Sequence, residues 1–412
     1  MRRVITFMTI LTAACGDDGQ TTPADAAPSD TSPDSPQMHC ENQGAIGQFN
    51  RRANNPRVLP GTVFTDGKLD THIADPDVQW NSATSTWEVY WATQHGTSYV
   101  SEDLVPIIRR ATSTDRITWT LDDTPAFSAH PDAGAWDHDL VEAPTVIYNP
   151  NAPADRRYLL MYTGANGTFP GYAFRDSSIG AAFSADGKTF TRVPASESPH
   201  GQAGLVLASS QIHPVGADGI VADPELVLVG DTYHLFFSSF VCHGANCAIA
   251  DSFGVSHATS TDGVSWTIVA APVRSLLRTS SLTSGGAQPS VVYDAAHCRW
   301  EMWLRAEDDA DVANQMVASS NMAGVYKAES MDGLSWNVNY NFNRDFTWMS
   351  QEPGEGLGLR AGVDVAMNGN GRLMLYVGFD DQNVPNGFAL PLRGGGTTPG
   401  VFTLNVATRD LP

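Results

Sequence analysis

The sequence predicts an all-β protein, a five-bladed β-propeller built from four-stranded antiparallel blades. Two observations support this prediction: a turn phrase that recurs along the chain, and a strand led by proline that comes before each turn in a constant order of elements. Helical periodicity is nearly absent from the 412 residues, and Gly, Pro, Asn, Asp and Ser punctuate the chain throughout. Radial repetition of four-stranded meanders is the pattern of a β-propeller.

The turn phrase has the form Ser-x-Asp-(Gly)-x-x-aromatic. Its four copies begin at Ser113, Ser184, Ser260 and Ser330, and a spacing of roughly 70 residues is typical of an array of similar modules. We expect the Asp to accept hydrogen bonds from its own backbone and the Gly to supply a positive φ. The aromatic residue then opens the next strand.

Three strands precede each turn and one follows it. The first of them begins at Pro76, Pro144, Pro224 or Pro289, and a fifth copy, 362–365, lacks the proline. The second is rich in aromatic residues, as in 87–91 and 233–237, and the third runs into the turn. Because proline has no N–H and is tolerated at the first position of a strand, the proline-led strands are expected to be the innermost.

The N-terminal residues have the pattern of an export signal. Residues 1–15 place two arginines before a short apolar stretch that cannot span a bilayer, so they predict a signal peptide. The ending Thr12-Ala-Ala-Cys15 resembles a bacterial lipoprotein box in which Cys15 is lipidated, and an ordinary secretory signal is the alternative. Residues 16–40 predict a disordered tether and 41–412 the propeller. The expected location is the bacterial cell envelope, anchored at the outer membrane or cell surface, or the exterior.

The net charge of −21 argues against nucleic acid as a partner, and it leaves the N-terminal lipid as the only expected membrane contact. Four cysteines follow the export signal. Cys242 with Cys247 and Cys40 with Cys298 are the expected disulfides. A zinc site made from Cys242, His243 and Cys247 is the alternative.

Polar residues beside the prolines are the candidate functional group. They are Asp75, Glu142, Asp223 and Gln288, with Asp364 just after the corresponding position of the fifth copy. If the innermost strands line one channel, these side chains converge at its mouth. Carboxylates placed close together repel, so at least one pKa rises, and acid/base hydrolysis needs two acids in different protonation states. The alternative is that Asp-Pro serves only as a turn-forming dipeptide.

The chain resembles the five-bladed glycoside hydrolases of family 43 and its relatives, families 32, 62, 68 and 117. The resemblance covers residues from about 60 to 408 and rests on Asp75-Pro76, Glu142-Ala-Pro144 and Asp223-Pro224, each followed by an aromatic strand and a turn phrase. It implies that Asp75 is the base or nucleophile and that Asp223 modulates the pKa of the acid. The family's acid is a Glu two residues before a proline, which this chain has as Glu142 in its second copy. The fourth copy, where the family would have that Glu, has Ala287 instead.

The resemblance implies a carbohydrate substrate and a monomer with no required cofactor. A Ca²⁺ ion in the channel is an alternative, since several relatives hold a metal there. Candidate sugar-binding residues are Trp136, His138, Asp139, His72, Gln288, Arg305 and His213, because aromatic faces suit pyranose rings and short polar side chains suit hydroxyls. Asp139 is an alternative to Glu142 as the active carboxylate.

Two other functions remain open at this point. A propeller that binds glycans or proteins without cutting them fits the missing Glu of the fourth copy. An envelope scaffold is the third reading, and a sealed channel would support it. The turn phrase also resembles the sialidase Asp-box, but a convincing set of three pocket arginines for an acidic sugar is absent from the sequence.

Overall fold

The structure is a computed structural model that describes residues 49–51, 58, 60–99, 101–167, 177–212, 218–243, 249–269, 286–306, 324–339, 359–368, 371–380, 390–391, 397–398 and 401–409. Several predictions lie outside these residues and stay predictions. They concern the signal peptide with Cys15, the tether, Cys40, Cys247 and His213.

The described strands form five antiparallel sheets of four or more strands, which are the five blades of a β-propeller, and the predicted fold class is confirmed. The first strand among the described residues is β1 (Asn50–Arg51). Blade 1 contains β2 (Leu69–Asp70), β3 (Ala74–Asn81), β4 (Thr86–Gly96), β5 (Val105–Ser113), β6 (Thr120–Leu121) and β7 (Phe127–Ser128). Blade 2 contains β8 (Leu140–Tyr148), β9 (Tyr158–Ala165), β10 (Ser178–Ser184), β11 (Thr191–Arg192) and β12 (Leu205–Leu207), followed by a 3-10 turn, Ser209–Gln211.

The remaining blades have the plainer four-strand pattern. Blade 3 contains β13 (Asp218–Val229), β14 (Thr232–His243), β15 (Ile249–Ser260) and β16 (Thr267–Ile268). Blade 4 contains β17 (Gly286–Asp294), β18 (Arg299–Ala306), β19 (Gly324–Ser330) and β20 (Asn337–Asn339). Blade 5 contains β21 (Leu359–Asn368) and β22 (Gly371–Asp380), then β25 (Val401–Arg409), while β23 (Leu390–Pro391) and β24 (Thr397–Thr398) pair separately. Among the described residues, no helix has the length and apolar character needed to cross a membrane.

Blade 5 takes its fourth strand from residues 50–51, far from its other strands in sequence. Its sheet runs in the order β21, β22, β25, β1, so the fourth strand comes from residues 50–51 rather than from a turn phrase. Asn50 pairs with Thr408 and Arg51 with Ala407. This explains why the turn phrase has four copies while the blades number five.

The proline-led strands are innermost. β3, β8, β13, β17 and β21 contact one another in cyclic order, so that each packs against the first strand of the blade on either side. The aromatic second strands fill the spaces between blades, where Tyr90 and Tyr162 share one buried cluster and Phe236 and Trp300 another. Apolar burial of this kind supplies the main driving force for folding.

The turn phrases form as predicted. In the third copy, the Ser260 hydroxyl donates to Asp262 Oδ1 (2.9 Å), and the same oxygen accepts the backbone N–H groups of Val264 (2.8 Å) and Ser265 (2.7 Å). The residue after the Asp has positive φ in all four copies: Arg116 (66°), Gly187 (73°), Gly263 (74°) and Gly333 (70°). The first copy therefore holds a side chain in the conformation for which its three repeats use glycine.

The predicted disulfides are not tested by the described residues. Cys298 takes part in a disulfide bond. The pairings of Cys40 with Cys298 and of Cys242 with Cys247 stay predictions, as does the zinc alternative.

Candidate active site at the channel mouth

A β-bulge interrupts the inner strand of blades 1 to 4 at the same place. The pairing register shifts between Ala74 and Asp77 in β3, and at the corresponding points of β8, β13 and β17. The interruption falls at the X-Pro pair, because proline cannot donate to the ladder. In blade 5 the register shifts between Ala361 and Val363, where the chain has Gly362.

The residue before each proline adopts a left-handed backbone conformation. The φ angles are 46° at Asp75, 45° at Ala143, 50° at Asp223 and 52° at Gln288. Such angles cost a residue with a Cβ about 1–2 kcal/mol, and strain of this kind persists where the surrounding structure over-determines it. We call these four residues the mouth ring.

The mouth ring lines a pocket at the centre of the propeller, which we call the mouth pocket. The pocket holds about 320 Å³ of empty space, part of it open to solvent. Its walls are the mouth ring, the four prolines that follow, Glu225, Val363 and Asp364. The predicted convergence of residues far apart in sequence is therefore present in the structure for Asp75, Asp223 and Gln288.

The predicted position of Glu142 in this ring is wrong by one residue. Ala143 stands directly before the proline of blade 2 and occupies the mouth-ring position. Glu142 precedes the bulge and pairs with Thr163 of β9. The residue that pairs at this point in blade 1 is Ala74, which lies opposite Ala92. Glu142, the acid of blade 2, therefore occupies the position equivalent to Ala74 of blade 1 and not the position equivalent to Asp75.

Glu142 is nevertheless close to the other two acids. The pKa of its carboxyl group is raised well above the ordinary value, first by burial and then by the negative charges of Asp75 and Asp223. A carboxyl group in such surroundings keeps its proton at a pH where an ordinary Glu has lost it. The surroundings of Glu142 therefore favour the protonated form of its carboxyl group.

Hydroxyl groups of the second strands hold the mouth ring in place. The backbone N–H of Asp223 donates to Thr163 Oγ1 of blade 2 (3.0 Å), and that of Gln288 donates to Ser238 Oγ of blade 3 (2.8 Å). Across the mouth, the side-chain amide of Gln288 donates from Nε2 to Asp75 Oδ1 (3.1 Å). Each of these bonds joins two different blades, so the ring geometry depends on the closed propeller.

A second ring lies beside the first; the sequence reasoning named only its member Asp364, which it grouped with the residues before the prolines. It consists of the residue that follows the proline, or its equivalent, in each inner strand; we call it the floor ring, and its members are Asp77, Thr145, Glu225, Ser290 and Asp364. The pattern was visible in the sequence, since this position is polar in all five copies.

The floor ring forms a closed cycle of hydrogen bonds between blades. Each member accepts the backbone N–H of the next blade: Asp77 from Val146 (3.0 Å), Thr145 from Leu226 (3.1 Å), Glu225 from Val291 (3.0 Å), Ser290 from Val365 (2.9 Å) and Asp364 from Val78. The Ser290 hydroxyl also donates to Asp364 Oδ1 (2.7 Å). The side chains thereby satisfy backbone groups that the bulges free from the sheets.

The three acids of the floor ring are buried together. One carboxylate oxygen from each of Asp77, Glu225 and Asp364 lies within 4.8 Å of the others. Burial and their mutual repulsion raise the pKa of Asp77 and Glu225 well above the ordinary values, and burial raises that of Asp364 to about 6. Carboxylate oxygens are the ligands that Ca²⁺ prefers, so these residues could hold the ion considered above, and its presence stays a prediction.

Trp136, His138, Asp139 and His72 are not among the residues that line the mouth pocket. The Trp136 indole stacks on Tyr162, with ring centroids 5.8 Å apart, and donates its N–H to the Ala203 carbonyl (2.9 Å). His138 Nδ1 lies 2.7 Å from the carbonyl oxygen of His130, and Asp139 accepts the N–H of Gly167 (2.8 Å).

His72 Nδ1 lies 2.8 Å from the Thr71 hydroxyl, and burial lowers the pKa of its imidazole to about 4. The side chain of Arg305 lies outside the described part of the structure. The roles proposed for these residues stay predictions.

Comparisons with known proteins identify the fold. No family model matches the chain, and no curated protein matches it. A glycosyl hydrolase from Bacteroides ovatus superposes with a TM-score of 0.54 at 14% identity, over 89% of this chain and 94% of that one. A structure from work on the GH130 family of mannoside phosphorylases, described as containing glycoside hydrolases that target beta-1,2 mannosidic linkages in Candida mannan, gives 0.55 at 13% identity, over 90% and 96%.

An N-acetylgalactosamine deacetylase from F. plautii, in complex with blood group B trisaccharide, gives a TM-score of 0.51 at 13% identity, over 88% of this chain and 95% of that one. The chain thus has the propeller fold of known glycoside hydrolases, as the sequence resemblance predicted. The deacetylase shows that this fold also accommodates a different reaction.

Proposed function

We propose that the chain is a glycoside hydrolase whose active site is the mouth pocket. The observation that carries this proposal is the convergence of Asp75 and Asp223 on the walls of the mouth pocket, with Glu142 near enough for their charges to help raise its pKa. Cleavage of a glycosidic bond needs one carboxylic acid that still carries its proton and one carboxylate. We assign the first role to Glu142, beside the wall of the pocket, and the second to Asp75.

In the proposed mechanism, Glu142 donates its proton to the glycosidic oxygen as the bond to the anomeric carbon breaks. Asp75 acts from the other side, either by activating a water molecule or by attacking the anomeric carbon. Asp223 contributes negative charge that keeps Glu142 protonated until the substrate receives the proton. The solved structures with this fold support a carbohydrate as the substrate class.

The test is hydrolysis of a panel of aryl glycosides and polysaccharides by the full chain, with and without a chelator. Once a substrate is found, Glu142→Gln should lower kcat about 10²- to 10⁴-fold on a glycoside with a poor leaving group. The same variant should retain most of its activity on a dinitrophenyl glycoside, whose leaving group needs no proton. Exposed Glu197, which pairs with Arg156 on the surface, provides the matched control Glu197→Gln.

Two results would overturn the assignment. Equal losses on both leaving groups would remove Glu142 from the role of acid, and an inactive wild-type chain across the panel would remove the hydrolase itself. A wild-type chain that binds oligosaccharides without cutting them would instead favour a glycan-binding propeller, a reading supported by Ala287 and Gln288 in blade 4, where the resembled family has its acid.

A further inference from the structure

We infer that Gln288 is a positioning residue for Asp75, whose carboxyl group its side-chain amide orients across the mouth. This inference rests on the proposed function and adds to it a residue whose chemistry differs from that of the acids around it. It rests on the backbone position of Gln288, on its hydrogen bond to Asp75, and on the glycine, Gly362, that blade 5 places between them.

Gln288 is fixed at the mouth by its backbone. Its φ of 52° places it in the same strained conformation as Asp75 and Asp223, and its N–H donates to Ser238 Oγ of the preceding blade. The side chain starts from a defined point on the pocket wall and projects from blade 4.

Its amide reaches a blade that is not its neighbour. Nε2 of Gln288 donates to Asp75 Oδ1 at 3.1 Å, which joins blade 4 to blade 1 across the mouth. The intervening blade 5 has Gly362 at its register shift and so contributes no side chain there. The absence of a side chain at this position leaves the path between Gln288 and Asp75 open.

An amide has the right chemistry for this contact. It donates a hydrogen bond at every pH and does not titrate, so it stabilises the carboxylate form of its partner over the carboxylic acid. An ionised Glu at the same position could not donate this hydrogen bond, because a carboxylate only accepts. One oxygen of Asp75 is occupied by the amide, and this fixes the direction in which the carboxyl group can face the substrate.

The chain offers a matched control for this bond. Gln79 donates from Nε2 to Glu88 Oε2 at the same distance, 3.1 Å, in the same strand as Asp75 but outside the mouth pocket. Gln79→Met and Gln288→Met each delete one partly buried amide–carboxylate bond. Any effect common to both variants therefore reports structure, and the difference between them reports the active site.

The first experiment measures kcat and KM separately for the wild type, Gln288→Met and Gln79→Met. Gln288→Met should lower kcat by about tenfold with little change in KM, because a misdirected Asp75 carboxyl group impairs the chemical step more than it impairs substrate binding. Gln79→Met should leave both constants near their wild-type values. An equal effect of the two variants, or a change confined to KM, would overturn the inference.

The second experiment does not require activity. Crystal structures of Gln288→Met and Gln79→Met show the direction of the Asp75 carboxyl group. It should turn away in Gln288→Met, which lacks the donor 3.1 Å from Asp75 Oδ1, and stay in place in Gln79→Met. A turned carboxyl group in a chain that hydrolyses nothing would keep the positioning role while the hydrolase proposal fails. An unmoved carboxyl group in Gln288→Met would overturn the positioning role, whatever the activity.

Discussion

Asp364 of blade 5 accepts a hydrogen bond from the backbone N–H of Val78 in blade 1. The two residues are 286 positions apart in sequence, and the bond closes the cycle that the floor ring makes around the channel. The acid that makes this contact is also one of three carboxyl groups buried within 4.8 Å of one another. Closure of the propeller and the titration of a buried acid are thus linked in one side chain.

The first prediction concerns the pH dependence that Asp364 gives to stability. Its pKa is raised from 3.8 to about 6, so the folded chain holds the proton more tightly than the unfolded chain does. The contribution to stability is complete below about pH 4 and is lost as pH rises through 6, by on the order of 3 kcal/mol. Asp364→Asn should lack this loss, because Asn does not titrate.

Thermal unfolding midpoints at pH 4, 5, 6 and 7 measure the effect. The midpoint of the wild type should fall relative to that of Asp364→Asn across this range, while exposed Asp231→Asn should follow the wild type. Parallel curves for the wild type and Asp364→Asn would show that the Asp364 carboxyl does not contribute to the pH dependence.

The second prediction concerns a histidine pair between β14 and β15. His234 and His257 stand in blade 3 at the position where blade 1 has the salt bridge of Glu88 and Arg110 (2.7 Å). The two rings share a hydrogen bond of 3.1 Å, and His257 also stacks on Phe236 at 4.2 Å. Burial and the neighbouring His234 lower the pKa of His257 to about 4.

A histidine whose pKa is lowered in the folded chain stabilises the fold at a pH above 6.5, the ordinary pKa of histidine. This stabilisation is lost as the pH falls toward 4. Replacement by a phenyl ring keeps the stacking and removes the titration. His257→Phe should therefore lose less of its thermal midpoint than the wild type between pH 6.5 and 4.5, even if it starts lower. His200→Gln, at a partly exposed site, should resemble the wild type, and an unchanged slope in His257→Phe would contradict the role of the pair.

The third prediction separates steric clash from backbone strain at a turn glycine. A Cβ on Gly263 would lie 2.6 Å from Leu159 Cδ2 of the neighbouring blade, whereas a Cβ on Gly201 meets no atom within 4 Å. Both glycines have positive φ, 74° and 66°. Gly201→Ala should cost about 1–2 kcal/mol from strain, and Gly263→Ala should cost a further 1–3 kcal/mol, roughly, from overpacking. Denaturant unfolding of both variants measures the difference, and equal losses would show that Leu159 moves aside.

The fourth prediction is a stabilising change. Arg116 has a φ of 66° in the turn position where Gly187, Gly263 and Gly333 stand in the other copies. Arg116→Gly should relieve strain worth about 1–2 kcal/mol, offset in part by the added freedom of glycine in the unfolded chain. A rise of the thermal midpoint by a few degrees is expected. A fall would mean that contacts of the Arg116 side chain outweigh the strain.

Much of the fold could be predicted because its repeats leave strong local signals. Pro76 and its counterparts marked the innermost strands, and Asp262 and its counterparts marked the turns, since both rest on backbone constraints within a few residues. The completion of blade 5 by Asn50 and Arg51 could not be read in this way. A strand of two residues carries no periodicity, and its partner strand, residues 401–409, is far away in sequence.

The site was predicted in outline but not in register. Asp75 and Asp223 meet because equivalent positions of a symmetric array converge, which the sequence can indicate. The prediction gave Glu142 the mouth-ring position that Ala143 occupies. The two residues are neighbours at a β-bulge, and the local sequence does not reveal which of them stands at the pocket wall. The contact of Gln288 with Asp75 depends on the diameter of the mouth, which only the closed structure provides.

The pairing of β1 with β25 has a consequence for biogenesis. The strand at residues 50–51 is synthesised long before its partner at 401–409, so the fifth sheet can be completed only after residues 401–409 have been made. Until then the edge of the growing array stays unprotected against pairing with other polypeptides. Joining of the two distant segments is therefore the natural last step of assembly, after which the circular fold has its full resistance to local opening.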